Sequence, residues 1–588
     1  MVKSIRVHRN IPIPMRDGII LRADIYRPND ENRHPAIVIR TPYGKSFYER
    51  SGDYFVTNDA AFHGYVVIVQ DVRGRFASDG EWPDTISVDE AKKMPEGFDG
   101  YDTIEWAATQ PWCDGNIGMT GGSYLASAQW QAAILNPPHL KAIAPAISAG
   151  SPLVTEVRLS GGMDLDLIVS WLAMMGVEVV SKMEKQGKDV TNLRPLLDKL
   201  LYNPEAAYNF LPLIDAPYFK IDGLSERFSK WMATDTYLDT LPSVESLYWP
   251  YEKVNVPCLH VGCWFDIYAG GTLSNYLGMV KSGGSRYSRD SQHLLFGPWS
   301  HGKNLTAFTG GIHFGPEASG AASLVHEIHM SFFDKYLKGL DVSFPRVRFF
   351  VMGKDRWENA ETWPPPTIQW QRFFLHSDGQ ANSACGGGRL SREEPGLESS
   401  DTFIYDPHNP VLTLGGRILP TGRLLAGPFD QSAIEHRKDI LCYSTHSLDE
   451  GLEITGPLVL HLFASTSAKD TDFMAKLIDV YPDGKAFNIA EGFIRARYRK
   501  SLIHAELVDS GEINEYLIDM TATSYLFRQG HYLRIEITSS NFPRVDRNMN
   551  TGNMFGQDVK GIVATQIVYH QSGYSSYIDL PVNNAHGN

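Results

Sequence analysis

Residues 114–130 read DGNIGMTGGSYLASAQW, and at their centre Gly121-Gly122-Ser123 follows a short apolar run that ends at Thr120. A helix-forming run begins directly after the serine. A nucleophilic serine on a sharp strand-to-helix turn needs small neighbours, because its backbone is strained and adjacent backbone approaches closely. The stretch therefore predicts a nucleophile at Ser123, with a helix-capping serine at an ordinary glycine turn as the alternative.

The stretch departs from the Gly-x-Ser-x-Gly pattern of such turns at its last position. Leu125 stands where the second glycine is expected, and a small residue, Ala126, follows one position later. The surrounding strands and side chains must therefore decide the role of Ser123.

Short, nearly continuous apolar runs lie on either side of this stretch. Strands buried on both faces have this composition, as in a parallel sheet covered by helices. Helix-compatible stretches at 98–109 and 124–135 lie between them, which predicts an α/β core with right-handed crossovers. A hairpin formed by 4–11 and 19–27 is predicted to precede the core. The apolar runs are 35–40, 65–70, 117–120, 141–147, 257–262 and 292–296.

Two changes of pattern predict further domains. Between 153 and 248 amphipathic helical stretches replace the strand–helix alternation, which predicts a helical cap above the edge of the sheet where ligands bind. From 343 onward, short β-rich runs separated by turn residues are typical of an antiparallel sandwich or jelly roll. The predicted domains are the α/β core in two parts (1–152 and 249–342), the cap (153–248) and a jelly-roll domain (343–588).

Composition excludes several classes of protein. The 588 residues carry 54 Lys+Arg and 68 Asp+Glu, a net charge of −14, which argues against a nucleic-acid binder because such proteins need a basic stripe. No apolar stretch reaches the roughly 18 residues of a membrane span, and the first residues do not resemble a secretory signal. The five cysteines are scattered, which argues against a disulfide framework or a zinc site. We expect a soluble cytoplasmic enzyme that needs no metal or other cofactor.

A serine nucleophile needs a base, and the base needs an orienting acid. With this kind of turn they follow in the order serine, acid, histidine, each just after a later core strand. Asp266 follows the run 257–262, and His301 follows the run 292–296. Singly, the aspartate is compatible with a helix cap and the histidine with a structural role. Together they predict a catalytic triad with Ser123.

Acyl transfer also needs hydrogen-bond donors aimed at the oxyanion. One predicted donor is the backbone N–H of Tyr124, the residue after the nucleophile. The loop after the first parallel strand reads RTPYG over residues 40–44. A tyrosine hydroxyl is an accepted oxyanion donor, so Tyr43 is the second candidate, with packing at a Pro-Tyr-Gly turn as the alternative.

Six motifs extend over nearly the whole chain: MRDGIILRADIYRP (15–28), RTPY (40–43), DVRGRFASDGEW (71–82), GGSYLA (121–126), WFD (264–266) and GPWSH (297–301). In this combination the chain resembles the cocaine esterase and X-prolyl dipeptidyl-peptidase (CocE/NonD) family of serine hydrolases, which also includes α-amino acid ester hydrolases and glutaryl acylases. The resemblance implies an α/β-hydrolase core with a helical cap insertion and a C-terminal jelly-roll β-sandwich domain. In the family pattern GxSYxG, Ala126 replaces the last glycine.

The resemblance also implies the roles of the site residues. Ser123 is the nucleophile, His301 the general base and acid, and Asp266 the orienting carboxylate. The Tyr43 hydroxyl and the Tyr124 amide form the oxyanion hole.

The residues beyond the predicted acid bear on the substrate. The α-amino acid ester hydrolases hold a substrate ammonium with carboxylates, some of them immediately beyond the triad aspartate. Here the uncharged Ile267, Tyr268 and Ala269 follow instead, although Asp164 and Asp166 of the cap can supply some charge.

An apolar or aromatic acyl pocket is predicted from Tyr268, which stands where the cocaine esterase has an aromatic residue. Phe265 is predicted beside it, with Trp171, Met174 and Met175 of a cap helix as a wall; helix packing is the alternative for these three. We expect a carboxylic ester as the small-molecule substrate, cleaved through an acyl-enzyme intermediate. The alternative is an amide-directed acylase or an X-prolyl or α-amino-acyl peptidase. The sequence leaves the subunit number open, and a homo-oligomer is compatible with it.

Two other features are open to two interpretations each. Asp71 and Arg73 directly follow a buried strand, and we expect a buried ion pair that fixes loops around the site rather than substrate binding. The jelly roll is expected to cover the flank of the sheet and one wall of the cleft, with a carbohydrate- or partner-binding module as the alternative.

Overall fold

The computed structural model describes residues 4–49, 54–82, 95–151, 158–217, 221, 224–233, 235, 238–239, 241–420 and 424–583. Its strands are β1 (Ile5–Pro14), β2 (Ile20–Pro28), β3 (His34–Thr41), β4 (Val66–Asp71), β5 (Cys113–Gly122), β6 (Leu140–Ala146), β7 (Cys258–Phe265), β8 (Gln292–Ser300), β9 (Phe308–Thr309), β10 (Ile312–His313), β11 (Val347–Val351), β12 (Arg356–Ala360), β13 (Ile368–His376), β14 (Arg389–Ser391), β15 (Asp401–Tyr405), β16 (Leu441–Ser444), β17 (Leu452–Thr466), β18 (Asp472–Val480), β19 (Ala486–Arg495), β20 (Asn514–Phe527), β21 (Tyr532–Thr538), β22 (Ala564–Tyr569) and β23 (Tyr577–Asn583). Its helices are α1 (Thr57–Phe62), α2 (Pro95–Ala108), α3 (Tyr124–Ala133), α4 (Leu165–Lys185), α5 (Leu193–Tyr202), α6 (Glu205–Tyr208), α7 (Ser225–Met232), α8 (Ala269–Ser282), α9 (Arg286–Asp290) and α10 (Val325–Lys338).

The first sheet has ten strands in the order β1-β2-β4-β3-β5-β6-β7-β8-β11-β12. From β4 to β11 neighbouring strands pair in parallel, whereas the β1–β2 hairpin and β12 are antiparallel to their neighbours. Parallel strands end at one common edge of a sheet. The residues that follow β5, β7 and β8 are therefore brought to the same edge.

The six apolar runs predicted as core strands are confirmed as β3 to β8. Their residues are buried almost without exception, because helices cover both faces of the sheet. The hairpin predicted over 4–11 and 19–27 is confirmed as β1 and β2, and the helices predicted at 98–109 and 124–135 are α2 and α3.

Helices α4, α5, α6 and α7 lie between β6 and β7, in the segment whose pattern predicts helices. Their apolar faces form a separate hydrophobic cluster that includes Leu172, Met175, Leu197 and Phe228. Amphipathic spacing explains the cluster, since one stripe of each helix is apolar. The predicted boundary between 152 and 153 lies outside the described residues.

The second sheet has eleven strands, ten in the order β15-β22-β17-β23-β13-β14-β16-β21-β18-β19 and β20 paired with β17. The long strand β17 pairs with β20 along one edge and with β23 and β22 along successive parts of the other. The sheet thereby encloses its own apolar interior as a β-sandwich. The sandwich is confirmed, and its jelly-roll topology stays a prediction.

The first β-rich run after residue 343, VRFFVMG (347–353), contributes its strand to the first sheet and not to the sandwich, which corrects the predicted boundary between 342 and 343. Its strand β11 pairs in parallel with β8 and antiparallel with β12. Val347, Phe349 and Phe350 are buried there. A continuous apolar run fits a buried strand of either sheet, so composition alone did not identify the correct one.

One hydrophobic core joins the two sheets. The Trp264 ring on β7 lies 4.4 Å from the Phe296 ring and 5.5 Å from the Trp363 ring, between centroids. Its indole N–H donates to the carbonyl oxygen of Phe350 at 2.8 Å, and Ile454 of the sandwich belongs to the same cluster. The sandwich therefore supports β7, the strand that leads to the edge described above.

Candidate active site

Ser123 occupies a sharp turn between β5 and α3. Its backbone has φ +62° and ψ −124°, a conformation that costs a residue with a side chain on the order of 1–3 kcal/mol. Its N–H donates to the carbonyl oxygen of Ala146 on the neighbouring strand at 3.0 Å. The turn raises the serine side chain above the carboxyl edge of the sheet.

The small residues before the serine have a steric cause. At Gly121, with φ +132°, a Cβ atom would lie 2.6 Å from the Cβ of Leu125. At Gly122 it would lie 2.9 Å from Cγ1 of Ile147. Leu125 stands two residues after the nucleophile, where glycine is usual, and its side chain is buried in the core. The position therefore accepts a leucine here. Gly121, two residues before the serine, leaves the space that this leucine occupies.

The structure brings the three predicted triad residues together. The Nε2 atom of His301 lies 3.0 Å from Oγ of Ser123, and its Nδ1 lies 2.8 Å from Oδ2 of Asp266. The aspartate follows β7 and the histidine follows β8, as the pattern predicted. This geometry allows the histidine to accept the serine proton while the carboxylate fixes its ring.

Asp266 is fully buried and held from several sides. Its Oδ1 accepts the backbone N–H of Tyr268 at 2.6 Å, and the Tyr268 ring stands edge-on to the His301 ring at 5.5 Å. Arg417, from the sandwich segment, donates to the carbonyl oxygen of Trp264 at 3.0 Å. These contacts fix the carboxylate and the histidine ring in one orientation.

Both predicted oxyanion donors line the cavity that contains Ser123. Tyr124 is the first residue of α3, where backbone N–H groups have no intrahelical acceptor and are directed toward the nucleophile turn. Tyr43 lines the same cavity, and its hydroxyl accepts a hydrogen bond from the Trp171 indole at 3.3 Å. That bond uses a lone pair of the hydroxyl oxygen and not its proton.

A cavity of about 890 Å³ opens over Ser123 and is predominantly apolar. Trp171 and Tyr268 line it, as predicted, together with Met174 and Met175. Leu419 and Pro420, from the sandwich segment, also line the cavity.

Phe265 does not belong to the cavity lining. It is 1% exposed and lies in the hydrophobic core shared by the two sheets, so its predicted place in the acyl pocket is corrected. The pairing of β7 with β8 is irregular between Cys263 and Phe265, which interrupts the alternation of side chains, and Phe265 joins Trp264 in that core.

The acids of the cap lie outside the lining as well. Asp164 caps α4 by accepting the N–H of Leu167, and Asp166 accepts the hydroxyl of Tyr208. Burial raises the pKa of Asp164 to about 7 and that of Asp166 to about 6. Neither carboxylate is available to a ligand in the cavity.

Asp71 and Arg73 do not pair with each other, which corrects the sequence expectation. Asp71 lies 3.3 Å from the Lys45 ammonium, while Arg73 lies 2.6 Å from Asp99 and 2.7 Å from Asp17. Burial raises the Asp71 pKa, and the lysine opposes that shift. Both residues fix loops at this edge, but through partners that are distant in sequence.

Sequence reasoning missed a cationic and aromatic layer behind the site. The Trp82 ring lies between two guanidinium groups, with Arg227 at 4.1 Å and Arg75 at 4.7 Å from its centroid. Its indole N–H donates to the Tyr124 hydroxyl at 3.3 Å. The motif DVRGRFASDGEW contains two of these residues, and that was the only available signal.

The described residues contain no cluster of three or more His, Cys, Asp or Glu side chains suited to hold a metal ion. Among the same residues no helix combines the length and apolar character that crossing a membrane requires. All five cysteines are free thiols, and Cys385 is the exposed one.

Comparison with known proteins agrees with this architecture. The family model for the X-Pro dipeptidyl-peptidase (S15 family) matches residues 17–303, and that for the X-Pro dipeptidyl-peptidase C-terminal non-catalytic domain matches 342–579. The cocaine esterase of Rhodococcus sp. (strain MB1 Bresler) is 37% identical over 593 residues, which cover 98% of each chain. The chain belongs to the S15 family. This S15 family member is a serine hydrolase, as the resemblance implied.

Solved structures share its fold. An aminopeptidase from the marine sediment archaeon Thaumarchaeota archaeon superposes with a TM-score of 0.76, and an α-amino acid ester hydrolase with 0.74. Each is 23% identical and covers 98% of this chain and 96% of its own. The fold is therefore an α/β-hydrolase core with a C-terminal β-sandwich.

The strained turn leads to a stability prediction. Ser123→Gly removes the Cβ atom that disfavours positive φ, whereas Ser123→Ala keeps it. We expect the glycine variant to have a free energy of unfolding about 1 kcal/mol higher than the alanine variant, measured by urea denaturation.

Ser127 in the following helix is the matched control for that comparison. The free energy of unfolding of Ser127→Gly should be about 1 kcal/mol lower than that of Ser127→Ala, because alanine is the better helix former. If the glycine variant were less stable than the alanine variant at both positions, the backbone of Ser123 would not be strained.

Proposed function

We propose that this chain hydrolyses carboxylic esters through an acyl-enzyme on Ser123. The observation that carries the proposal is the hydrogen-bonded series from Asp266 through His301 to Ser123, with distances of 2.8 and 3.0 Å, at the floor of an apolar cavity. An apolar cavity fits the hydrophobic acyl or alkyl groups of an ester.

In the proposed mechanism, His301 Nε2 takes the Ser123 proton as Oγ bonds to the ester carbonyl carbon. The carbonyl oxygen becomes an oxyanion, which accepts hydrogen bonds from the Tyr43 hydroxyl and the Tyr124 amide. The carbon–oxygen bond to the alcohol then breaks, and His301 donates its proton to that alcohol. Water attacks the acyl-enzyme with the same proton transfers and releases the acid.

The cavity favours esters over peptides that carry a free amino end. A substrate ammonium needs a carboxylate, and Glu178 is the carboxylate among the described lining residues. Its Oε2 lies 3.0 Å from the Arg75 guanidinium, and its Oε1 accepts the N–H of Phe76 at 3.0 Å. The acid is therefore neutralised within the protein.

The proposal also assigns roles to the parts of the chain. Residues 1–152 and 249–342, extended by β11 and β12, form the catalytic core, and 153–248 form the cap. The remainder of 343–588 is a domain that supports β7 and supplies Leu419 and Pro420 to the cavity. Free cysteines fit a reducing compartment, so we place the enzyme in the cytoplasm. We propose no nucleic-acid or membrane partner and no cofactor.

The role of Ser123 predicts the effect of one substitution. Ser123→Ala removes the nucleophile, so turnover of p-nitrophenyl butyrate should fall by at least about 10⁴-fold while the circular dichroism spectrum stays unchanged. Ser127→Ala, one helical turn further on, is the control and should keep its activity. Retained turnover in the folded Ser123 variant would overturn the assignment.

The role of Tyr43 predicts a smaller loss. Tyr43→Phe keeps the ring and removes one oxyanion donor, so kcat for the same ester should fall about 10²- to 10³-fold with little change in KM. Tyr65→Phe removes a buried tyrosine hydroxyl that bonds to Asp334 outside the cavity, and its kcat should stay near that of the parent. A Tyr43 variant with normal kcat would assign this residue to packing alone.

The ester preference is tested by substrates of the rival activities. Side-by-side kcat/KM values are measured for a p-nitrophenyl ester, an Xaa-Pro-p-nitroanilide and a β-lactam side-chain amide. We expect the ester to be hydrolysed fastest and the anilide slowest, because the described cavity lining offers the peptide amine no carboxylate that is not already paired. A dominant anilide rate would replace the esterase proposal with the peptidase one.

A further inference from the structure

One face of α4 forms a continuous wall of the cavity. Trp171, Met175, Glu178, Lys182 and Lys185 recur at spacings of three or four residues, and all of them line the cavity. This spacing places them in a row along one side of a helix. The wall therefore runs from the catalytic turn toward the C-terminal end of α4.

The two ends of this wall differ in character. Trp171 marks the catalytic end, since its indole donates to the Tyr43 hydroxyl. Met174 and Met175 continue the wall as an apolar segment. At a rise of 1.5 Å per residue, Lys182 lies about 16 Å beyond Trp171 along the helix axis, and Lys185 about 21 Å.

Among the described lining residues, Glu178 is the only carboxylate that could neutralise the basic end. The Glu178 carboxylate is neutralised by the Arg75 guanidinium. Arg75 is 1% exposed, so it cannot bind an anion from solvent instead of Glu178. Lys182, Lys185 and Lys303 also line the cavity, and none of the described carboxylates forms an ion pair with them. The protein has a net charge of −14, yet the described side chains that line this cavity carry more positive than negative charge.

The Lys182 side chain is held in place by a hydrogen bond to the main chain. Its ammonium donates one hydrogen bond, to the carbonyl oxygen of Gly74 at 3.0 Å. An ammonium has three N–H donors, so the described residues leave two of them for a ligand. Lys185 is exposed at the end of the same row, where a second contact to the same anion is within reach.

We propose that the natural substrate is an anionic ester, with an apolar segment that lies along Met174 and Met175 and a carboxylate that binds Lys182 and Lys185. This inference rests on the proposed esterase function and specifies its substrate class. Carboxylate-to-lysine hydrogen bonds are charge-assisted, and an apolar wall desolvates the segment between the anion and the reacting carbonyl.

The experiment compares two esters that differ only in charge. One is the mono-p-nitrophenyl ester of sebacic acid, and the other is the same molecule with its free carboxylate capped as a methyl ester. At low ionic strength we expect the anionic ester to have a KM about fivefold to tenfold lower, and the advantage to shrink with added salt.

Lys182→Gln/Lys185→Gln is the decisive variant. It should raise the KM of the anionic ester to that of the capped one and leave the capped ester unchanged. Lys199→Gln, which removes an exposed charge from α5 outside the cavity, should keep the discrimination. Lys185→Gln alone changes an exposed side chain and provides the same test if the double variant folds poorly.

The failures of the two proposals are distinguishable. If the parent hydrolyses the capped ester at least as well as the anionic one, or if the double variant keeps the preference, the anionic substrate is contradicted while the esterase remains. If neither ester is hydrolysed by a Ser123-dependent reaction, the proposed function itself fails.

Discussion

The positive φ of Ser123 is maintained by backbone hydrogen bonds on both sides of the residue. Its N–H is bound to β6 through Ala146, and its carbonyl oxygen accepts the first hydrogen bonds of α3 from Ala126 and Ser127. Gly121 leaves room for the buried Leu125 at the point where the chain reverses. The sheet and the helix together thus impose a conformation that the serine alone would avoid, and this conformation presents Oγ to His301.

A layer of tryptophans connects the cap to the proposed oxyanion donors. Trp171 of α4 donates to the Tyr43 hydroxyl, and Trp82 donates to the Tyr124 hydroxyl. The two indole rings lie 5.6 Å apart, and Arg227 lies against both of them. The cap therefore does more than cover the cavity, because displacement of α4 would move the Tyr43 hydroxyl that we propose as an oxyanion donor.

Local patterns were sufficient for the core strands, for the sharp turn at Ser123 and for the placement of Asp266 and His301 at the same edge of the sheet. Apolar runs identify strands buried on both faces, and the residues that follow them share one edge of the sheet. Contacts between residues that are distant in the sequence could not be predicted from these local patterns. The partners of Asp71 and Arg73 come from other loops, and the direction of Phe265 depends on the exact register of β7. The sheet to which β11 belongs is likewise decided by tertiary packing.

The proposed mechanism requires that Ser123 be the residue that becomes acylated. The most direct measurement is reaction of the intact protein with a fluorophosphonate ester, followed by mass spectrometry of its peptides. We expect one equivalent of label on the peptide that contains Ser123, with activity lost in proportion, and almost no labelling of a folded His301→Ala variant. A stoichiometric label on another residue, or full activity after Ser123 is labelled, would contradict the account.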